Sequence, residues 1–433
     1  MMNLTRPFGT AVLVLLSIAF TSQAVAQSQE LPKGEKKEYF FSGLPAPTLC
    51  EQNPNFVCTT MIGDGTSFSR SSMLGSIITG NVCIIGDFEV NTPFRFQNAT
   101  VKISLGVLIT VAASPNFYDA GGTLEIDNFK LFACVGLWKG ITLGFLSSIS
   151  TFNNSKIEDA KIAIFANTYS SLSIQQTTFN QDSIGIALET PFPSNYSPGP
   201  QVWTFRNNYF TCDAPLNGTT NTVSFAGIKL KNTALYTFQT GTNHFTDLQY
   251  GIYAEGGASY IGAQGLIFQT IKRDGIYMEV GNIDLRSSTF TNCFEKGIHL
   301  LTARQVEITK GCSFYWGEVL PDGVDIFSFH DGICVERFSF ASSVNVDACT
   351  FVANLTSPHK NVRGIHLQGG HVDAGTYITI ANRCTWSFVA INSSAINISG
   401  DFPSASQITI YEYGGTDYPR TKSGIAANDH RPT

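Results

Sequence analysis

The sequence predicts an all-β solenoid, and three observations carry that prediction. A short phrase returns along the chain as Gly140-Ile-Thr-Leu, Gly185-Ile-Ala-Leu, Gly227-Ile-Lys-Leu, Gly251-Ile-Tyr-Ala, Gly275-Ile-Tyr-Met, Gly297-Ile-His-Leu, Gly332-Ile-Cys-Val and Gly364-Ile-His-Leu. From Gly227 to Gly297 it returns at intervals of 24, 24 and 22 residues, and a period of this size marks a stacked-repeat architecture. Alternating apolar pairs follow most of the phrases, and each alternation is the pattern of a short strand with one buried face. Composition agrees: charged residues are 14% of the 433, with 39 Gly and 33 Phe, which suits short strands and tight turns better than long solvated helices.

The elements follow in chain order. Arg6, the apolar run Phe8 to Phe20 and Ala24-Val25-Ala26 have the charge, core and cleavage pattern of a secretory signal peptide, so residues 1–26 are read as a leader and Gln27 as the mature start. The expected location is secreted or cell surface. No later stretch is apolar for long enough to predict a membrane-spanning helix. Residues 27–80 form an N-terminal segment and cap, where export permits disulfides and a bridge between Cys50 and Cys58 is expected. The other cysteines fall at repeat positions and read as small buried hydrophobes. The solenoid runs over 81–413. Its first coils lack the Gly-Ile phrase but keep alternation in Val82-Cys-Ile84, Phe94-Arg-Phe96, Val101-Lys-Ile103 and Leu124-Glu-Ile126. Ala160-Lys-Ile-Ala-Ile fills the coil between Gly140 and Gly185, and residues 414–433 read as a polar tail.

Within each coil a second strand follows the Gly-Ile strand, as in Leu172-Ser-Ile174, Tyr236-Thr-Phe238, Ile283-Asp-Leu285 and Val306-Glu-Ile308. A third strand ends in an aromatic: Phe152, Phe179, Phe210, Phe245, Phe268, Phe290, Phe314, Phe351 and Trp386. Two residues earlier stands a small or polar residue, among them Asn208, Asn243, Ser288, Cys312, Cys349 and Cys384. Three strands of this kind cannot bury their apolar faces alone and must stack on neighbouring coils. From Gly140 to Ile398 the pattern resembles the right-handed parallel β-helix family, which includes the pectate lyases and many exported bacterial surface proteins. The resemblance implies a single-stranded right-handed parallel β-helix of about 22–24 residues per coil, with a ladder of Asn at the turn before the aromatic strand and an irregular N-terminal cap.

In a strand Gly-Ile-x-Leu, Ile and Leu share the core face and x points to solvent. Along the coils x is Thr142, Ala163, Ala187, Lys229, Tyr253, Tyr277, His299, Cys334 and His366, and two residues on the same parity gives Lys231, Glu255, Glu279 and Glu336. The turn before the Gly-Ile strand is short on the coils of Tyr253, Tyr277 and His299 and long on either side, which predicts a groove walled by 211–226 and by 315–331 with 352–363. The resemblance implies that a substrate lies beside such a strand. The binding residues expected are Lys229, Lys231, Tyr253, Tyr277 and Arg273, with tyrosine faces as stacking area for sugar rings. If there is chemistry, Glu255 and Glu279 are the candidate acid and base, with His299 as a further base.

Formal charge is −6 with no basic run, which gives a nucleic-acid backbone nothing to engage. No cofactor or metal set is assigned. Calcium is considered only for Asp322, Asp325, His330 and Asp331 in the long loop. The Asp clusters that the resemblance would require of a calcium-dependent pectate lyase or a polygalacturonase do not occur. The favoured reading is therefore an exported β-helix with an adhesive or glycan-binding role whose partner is a polysaccharide or cell-surface glycan. The competing reading is a polysaccharide lyase or glycoside hydrolase acting over coils 229–299.

Overall fold

Parallel strands, wound three to a coil, build the molecule. The computed structural model describes residues 48–63, 70–115, 119–190, 199–219, 223–257, 259–309, 311–317, 329–353, 361–369, 377–380, 385–388, 392–400, 407–410 and 425–427, with only the course of the backbone beyond 369. The expected leader lies outside these residues. Among them no helix is long and apolar enough to cross a membrane.

Each Gly-Ile strand pairs in parallel with its counterparts on the coils before and after, and one isoleucine column runs through Ile164, Ile186, Ile228, Ile252, Ile276, Ile298, Ile333, Ile365 and Ile396. The second strands stack likewise, with Leu235, Ile261, Ile283, Val306 and Val344 in register. On the third face Phe179, Phe210, Phe245, Phe268, Phe290, Phe314 and Phe351 form a continuous pile, with ring centroids 4.6 to 4.9 Å apart and planes within 4° to 16°. The corner two residues past the phenylalanine has positive φ at Gln181, Asp247, Thr270 and Asn292, a conformation that short polar side chains tolerate best. Before the phenylalanines the amide ladder has one Asn rung, Asn208 Nδ2 donating to Asn243 Oδ1 at 3.0 Å, and then Leu266 occupies the position.

The recurring glycine has a steric cause. A methyl group on Gly251 would lie 2.4 Å from the Phe268 ring, and one on Gly275 would lie 2.7 Å from the Phe290 ring. The phrase and the aromatic strand are thus one device, in which the ring fills the space a side chain would need.

Four expectations are corrected. Phe152 belongs to a second-face strand, aligned with Asp127, and the third-face position of its coil is Ile157 beside Phe179. Ala163 is the extra residue of a bulge and is fully buried, which puts Phe165 opposite Thr142 in the outward series. Leu235 and Thr237 face the core in place of Tyr236 and Phe238, and Tyr236 is exposed. Cys50 bonds to Cys134 and Cys58 to Cys83, so the expected Cys50 to Cys58 bridge is not made. Both disulfides fasten the N-terminal segment to the coils. The first also secures the short helix Leu49–Gln52, whose Leu49 amide donates to Glu158 Oε2 at 2.8 Å. Strand pairing extends past the expected limits, from Thr60–Ile62 at one end to Ile425–Ala427 at the other. Cys212, Cys293, Cys312 and Cys334 are buried free thiols, and Cys349 is buried.

Candidate functional site

The outward column of the Gly-Ile strands forms a straight row. Lys229, Tyr253, Tyr277, His299, Cys334 and His366 are in register from coil to coil. Beside them runs a second row, Asp274, Lys296, Asp331 and Arg363, also in register. Strict alternation would turn Asp274 inward, because it lies three residues before Tyr277. The Gly-Ile pair breaks the alternation: a side chain on Gly275 would meet the inward Phe290 ring, and Ile276 is fully buried in the core. Two successive inward residues return the residue before glycine to the outer side, where Asp274 Oδ2 meets His299 Nδ1 at 3.1 Å.

Tyr253 and Tyr277 stack on each other, with centroids 4.9 Å apart and planes within 8°. Phe225 packs edge-on against Tyr253 at 5.0 Å, and His299 stands edge-on to Tyr277 at 5.2 Å. The tyrosine faces therefore point along the solenoid axis and serve the stack. Their edges and hydroxyls are what reach solvent, contrary to the expectation of open stacking faces. Among the described residues neither hydroxyl has a hydrogen-bond partner in the protein. Burial and then the Glu279 carboxylate push the Tyr277 phenol up to about 12, and the same two causes raise Tyr253. Both remain proton donors at neutral pH.

The remaining predicted residues are already engaged. Glu255 Oε1 takes Lys229 Nζ at 3.1 Å and Lys231 Nζ at 4.0 Å. Glu279 Oε2 accepts the Gly256 amide at 3.0 Å. Arg273 grips Glu295 with Nε and Nη2 at 3.2 and 3.3 Å and lies 5.2 Å over the Tyr250 ring. Burial alone would lower this guanidinium, but Glu295 and Tyr250 outweigh it and hold the pKa above its ordinary value. Glu255 and Glu279, the acid and base pair that the sequence suggested, are thus each held by donors of the protein.

Of the expected walls, 211–226 is described except at 220–222, and its Phe225 packs against Tyr253 of the row. Gln181 Nε2 donates to Pro215 O at 3.3 Å, while Phe225 closes an outer apolar patch with Ile184, Ala187, Ala226 and Tyr250. Residues 318–328 and 354–360 of the opposite wall lie outside the described residues, as do Asp322 and Asp325. His330 Nδ1 donates to the Phe294 carbonyl and Asp331 binds Arg363.

Past Tyr277 the row becomes a cluster that the sequence reading did not assemble. His299 is buried between Asp274 and Glu336, with Nε2 2.8 Å from Glu336 Oε1. Cys334 Sγ lies 3.6 Å from His366 Nδ1, and that nitrogen is 3.7 Å from Asp331 Oδ2. Arg363 clamps Asp331 at 2.6 and 2.9 Å. Two groups, His299 with Cys334 and Glu336 and Asp331 with Cys334 and His366, each keep their donor atoms within 4.8 Å of one another. The legible sign in the sequence was the residue before each glycine, Asp, Lys, Asp and Arg on four successive coils. Also outside the prediction is Trp203, 67% exposed on the second face.

Neither a family profile nor a curated protein sequence matches this chain. Solved structures resemble it weakly. The DFA-IIIase of Arthrobacter chlorophenolicus is 10% identical over 82% of this chain and 90% of its own, with a TM-score of 0.39. The periplasmic alginate epimerase AlgG is 10% identical over 79% and 85%, with a TM-score of 0.27. The Streptococcus pneumoniae surface protein and adhesin PfbA is 10% identical over 76% and 90%, with a TM-score of 0.22. Likenesses this distant say nothing about chemistry. The stacked parallel strands themselves, coil upon coil in one register, make this chain a right-handed parallel β-helix.

Proposed function

We propose that this protein is an exported β-helix that binds a polysaccharide or cell-surface glycan along the outward row from Lys229 to His299. The observation that carries the reading is the pair of tyrosine hydroxyls, presented on adjacent coils without a partner among the described residues and flanked by Lys231, Glu255 and Glu279. Adjacent coils stand about 4.8 Å apart, so the row repeats a donor and acceptor set along a line, which suits a polymer of hydroxyl-rich units. Recognition by this surface works through hydrogen bonds in the plane of the row, since the ring faces are occupied. An adhesive role follows from binding without turnover.

The test is a glycan screen on the mature chain that reads binding and product release from the same wells. The Tyr253→Phe/Tyr277→Phe variant removes two hydroxyls and keeps the stack. At about 0.5–1.5 kcal/mol for each hydrogen bond, it should weaken binding by roughly tenfold with unchanged circular dichroism. Wild-type affinity in that variant, or loss of binding only in Trp203→Ala, would move the site to another face. Reducing ends or unsaturated products would replace the adhesive reading with a hydrolase or lyase and direct attention to Asp274 and His299.

A further inference from the structure

We propose that His299, Cys334 and Glu336 bind one thiophilic divalent transition-metal ion, of which zinc is the type, and that Asp274 orients the histidine. The argument starts from the fold. His299 and Cys334 occupy the same outward position on adjacent coils, and Glu336 follows the end of the Cys334 strand at Val335 and meets His299 Nε2 at 2.8 Å, so all three gather on one side. Their donor atoms lie within 4.8 Å of one another. Sulfur, imidazole nitrogen and carboxylate together favour zinc-like ions over calcium or magnesium, which take oxygen shells.

The surroundings of the histidine supply a second, independent indication. A ligating histidine commonly gives its other ring N–H to a carboxylate, which fixes the tautomer and the ring plane. Here the fully buried Asp274 takes that place, with Oδ2 3.1 Å from His299 Nδ1, and Nε2 is turned toward Glu336 and Cys334. Among the described residues Asp274 Oδ1 is buried without a hydrogen-bond partner. Charge points the same way. Among the described residues, the carboxylates Asp274, Asp331, Glu336 and Glu295 outnumber their neighbouring cations Lys296, Arg363 and Arg273 by one, and a dication would offset the excess.

The alternative donor group is less suited, because Arg363 already holds both oxygens of Asp331. A tetrahedral ion with bonds of about 2.0–2.3 Å sets its donors roughly 3.4–3.6 Å apart. The 2.8 Å contact between His299 and Glu336 must therefore open slightly, and Glu336, whose side chain is 38% exposed, has room to do so. Three protein ligands leave a fourth position for water or a ligand atom. On binding, the thiol proton and any proton on Nε2 are released to solvent.

The experiment is a Co(II) titration of the full mature chain, followed by the thiolate-to-cobalt charge-transfer band and by zinc displacement. The expected result is one equivalent bound with that band, abolished in Cys334→Ser and weakened at least tenfold in His299→Ala and Glu336→Gln. Asp274→Asn should weaken it by about 10–100-fold, while His366→Ala stays within threefold of wild type. Far-UV circular dichroism on each variant separates lost ligation from lost fold. No band in the wild type, a band that survives Cys334→Ser, or a band lost in His366→Ala but kept in His299→Ala would overturn the proposal. Glycan binding enters none of these readouts.

Discussion

Gly275 has no room for even a methyl group. The added carbon would lie 2.6 Å from the Gly297 carbonyl oxygen on the next coil and 2.7 Å from the Phe290 ring of its own. One contact is backbone and the other is a ring held between Phe268 and Phe314, so neither yields cheaply. Gly275→Ala should cost about 1–3 kcal/mol through overpacking, seen as a lower midpoint in urea. A midpoint equal to wild type would show that the pile can shift to admit it. The same position explains what the sequence showed and what it hid. The Gly-Ile phrase was legible because the steric demand repeats at Gly185, Gly227, Gly251, Gly275, Gly297 and Gly332. Asp274 was hidden because that demand puts glycine and isoleucine on the same side, and an alternation rule counts straight through the break.

At the scale of one element, the turn at Glu158–Asp159 gathers acid in the interior. Glu158 binds Lys156 Nζ at 2.5 Å and accepts Asn180 Nδ2 at 2.9 Å, Asp159 accepts the Ala133 amide at 3.2 Å, and Asp182 accepts the Ala160 amide at 2.7 Å. Burial first and the neighbouring Glu158 second push the Asp159 carboxyl up to about 7, and burial raises Asp182 as well. The folded state thus keeps a proton that an unfolded chain releases near its ordinary 3.8. Stability from this site is full below that value and is lost as pH rises through about 7, a swing on the order of 4 kcal/mol. Asp159→Asn keeps the amide acceptor and has no proton to lose. Urea unfolding at acidic and mildly alkaline pH should show a smaller fall in the variant, and an equal fall would remove Asp159 as its source. Nothing in the one-dimensional pattern announced this cluster, since each carboxylate reads alone as an ordinary turn residue. The bulge at Ala163 was equally unreadable, because an extra residue leaves the apolar count intact while it moves Phe165 into the outward series.

Across the whole molecule, each coil meets only its neighbours, so stability is close to a sum of local interfaces and the ends need fastening. The link between Cys50 and Cys134 spans 84 residues and secures the helix at Leu49–Gln52. Cys50→Ser/Cys134→Ser should lose about 2–5 kcal/mol, with amides of residues 48–63 exchanging before those of the Phe179 to Phe351 coils. Simultaneous exchange of both regions would mean that the coils unfold as one. The repeat and its coil length were readable because they recur. The bridges were not, because proximity along the chain does not decide pairing when coils bring distant residues together. The phenylalanine pile carries one more implication. From Gly185 to Phe351 each coil presents the same ring, the same glycine gap and the same isoleucine to the coil above and below, so the two faces of these coils match. A gene could therefore gain or lose one unit of about 24 residues, such as Gly251 to Asp274, with the seam closing on matching surfaces. Only the outward letters would change in number, and the row would lengthen or shorten as a ruler does, one graduation at a time.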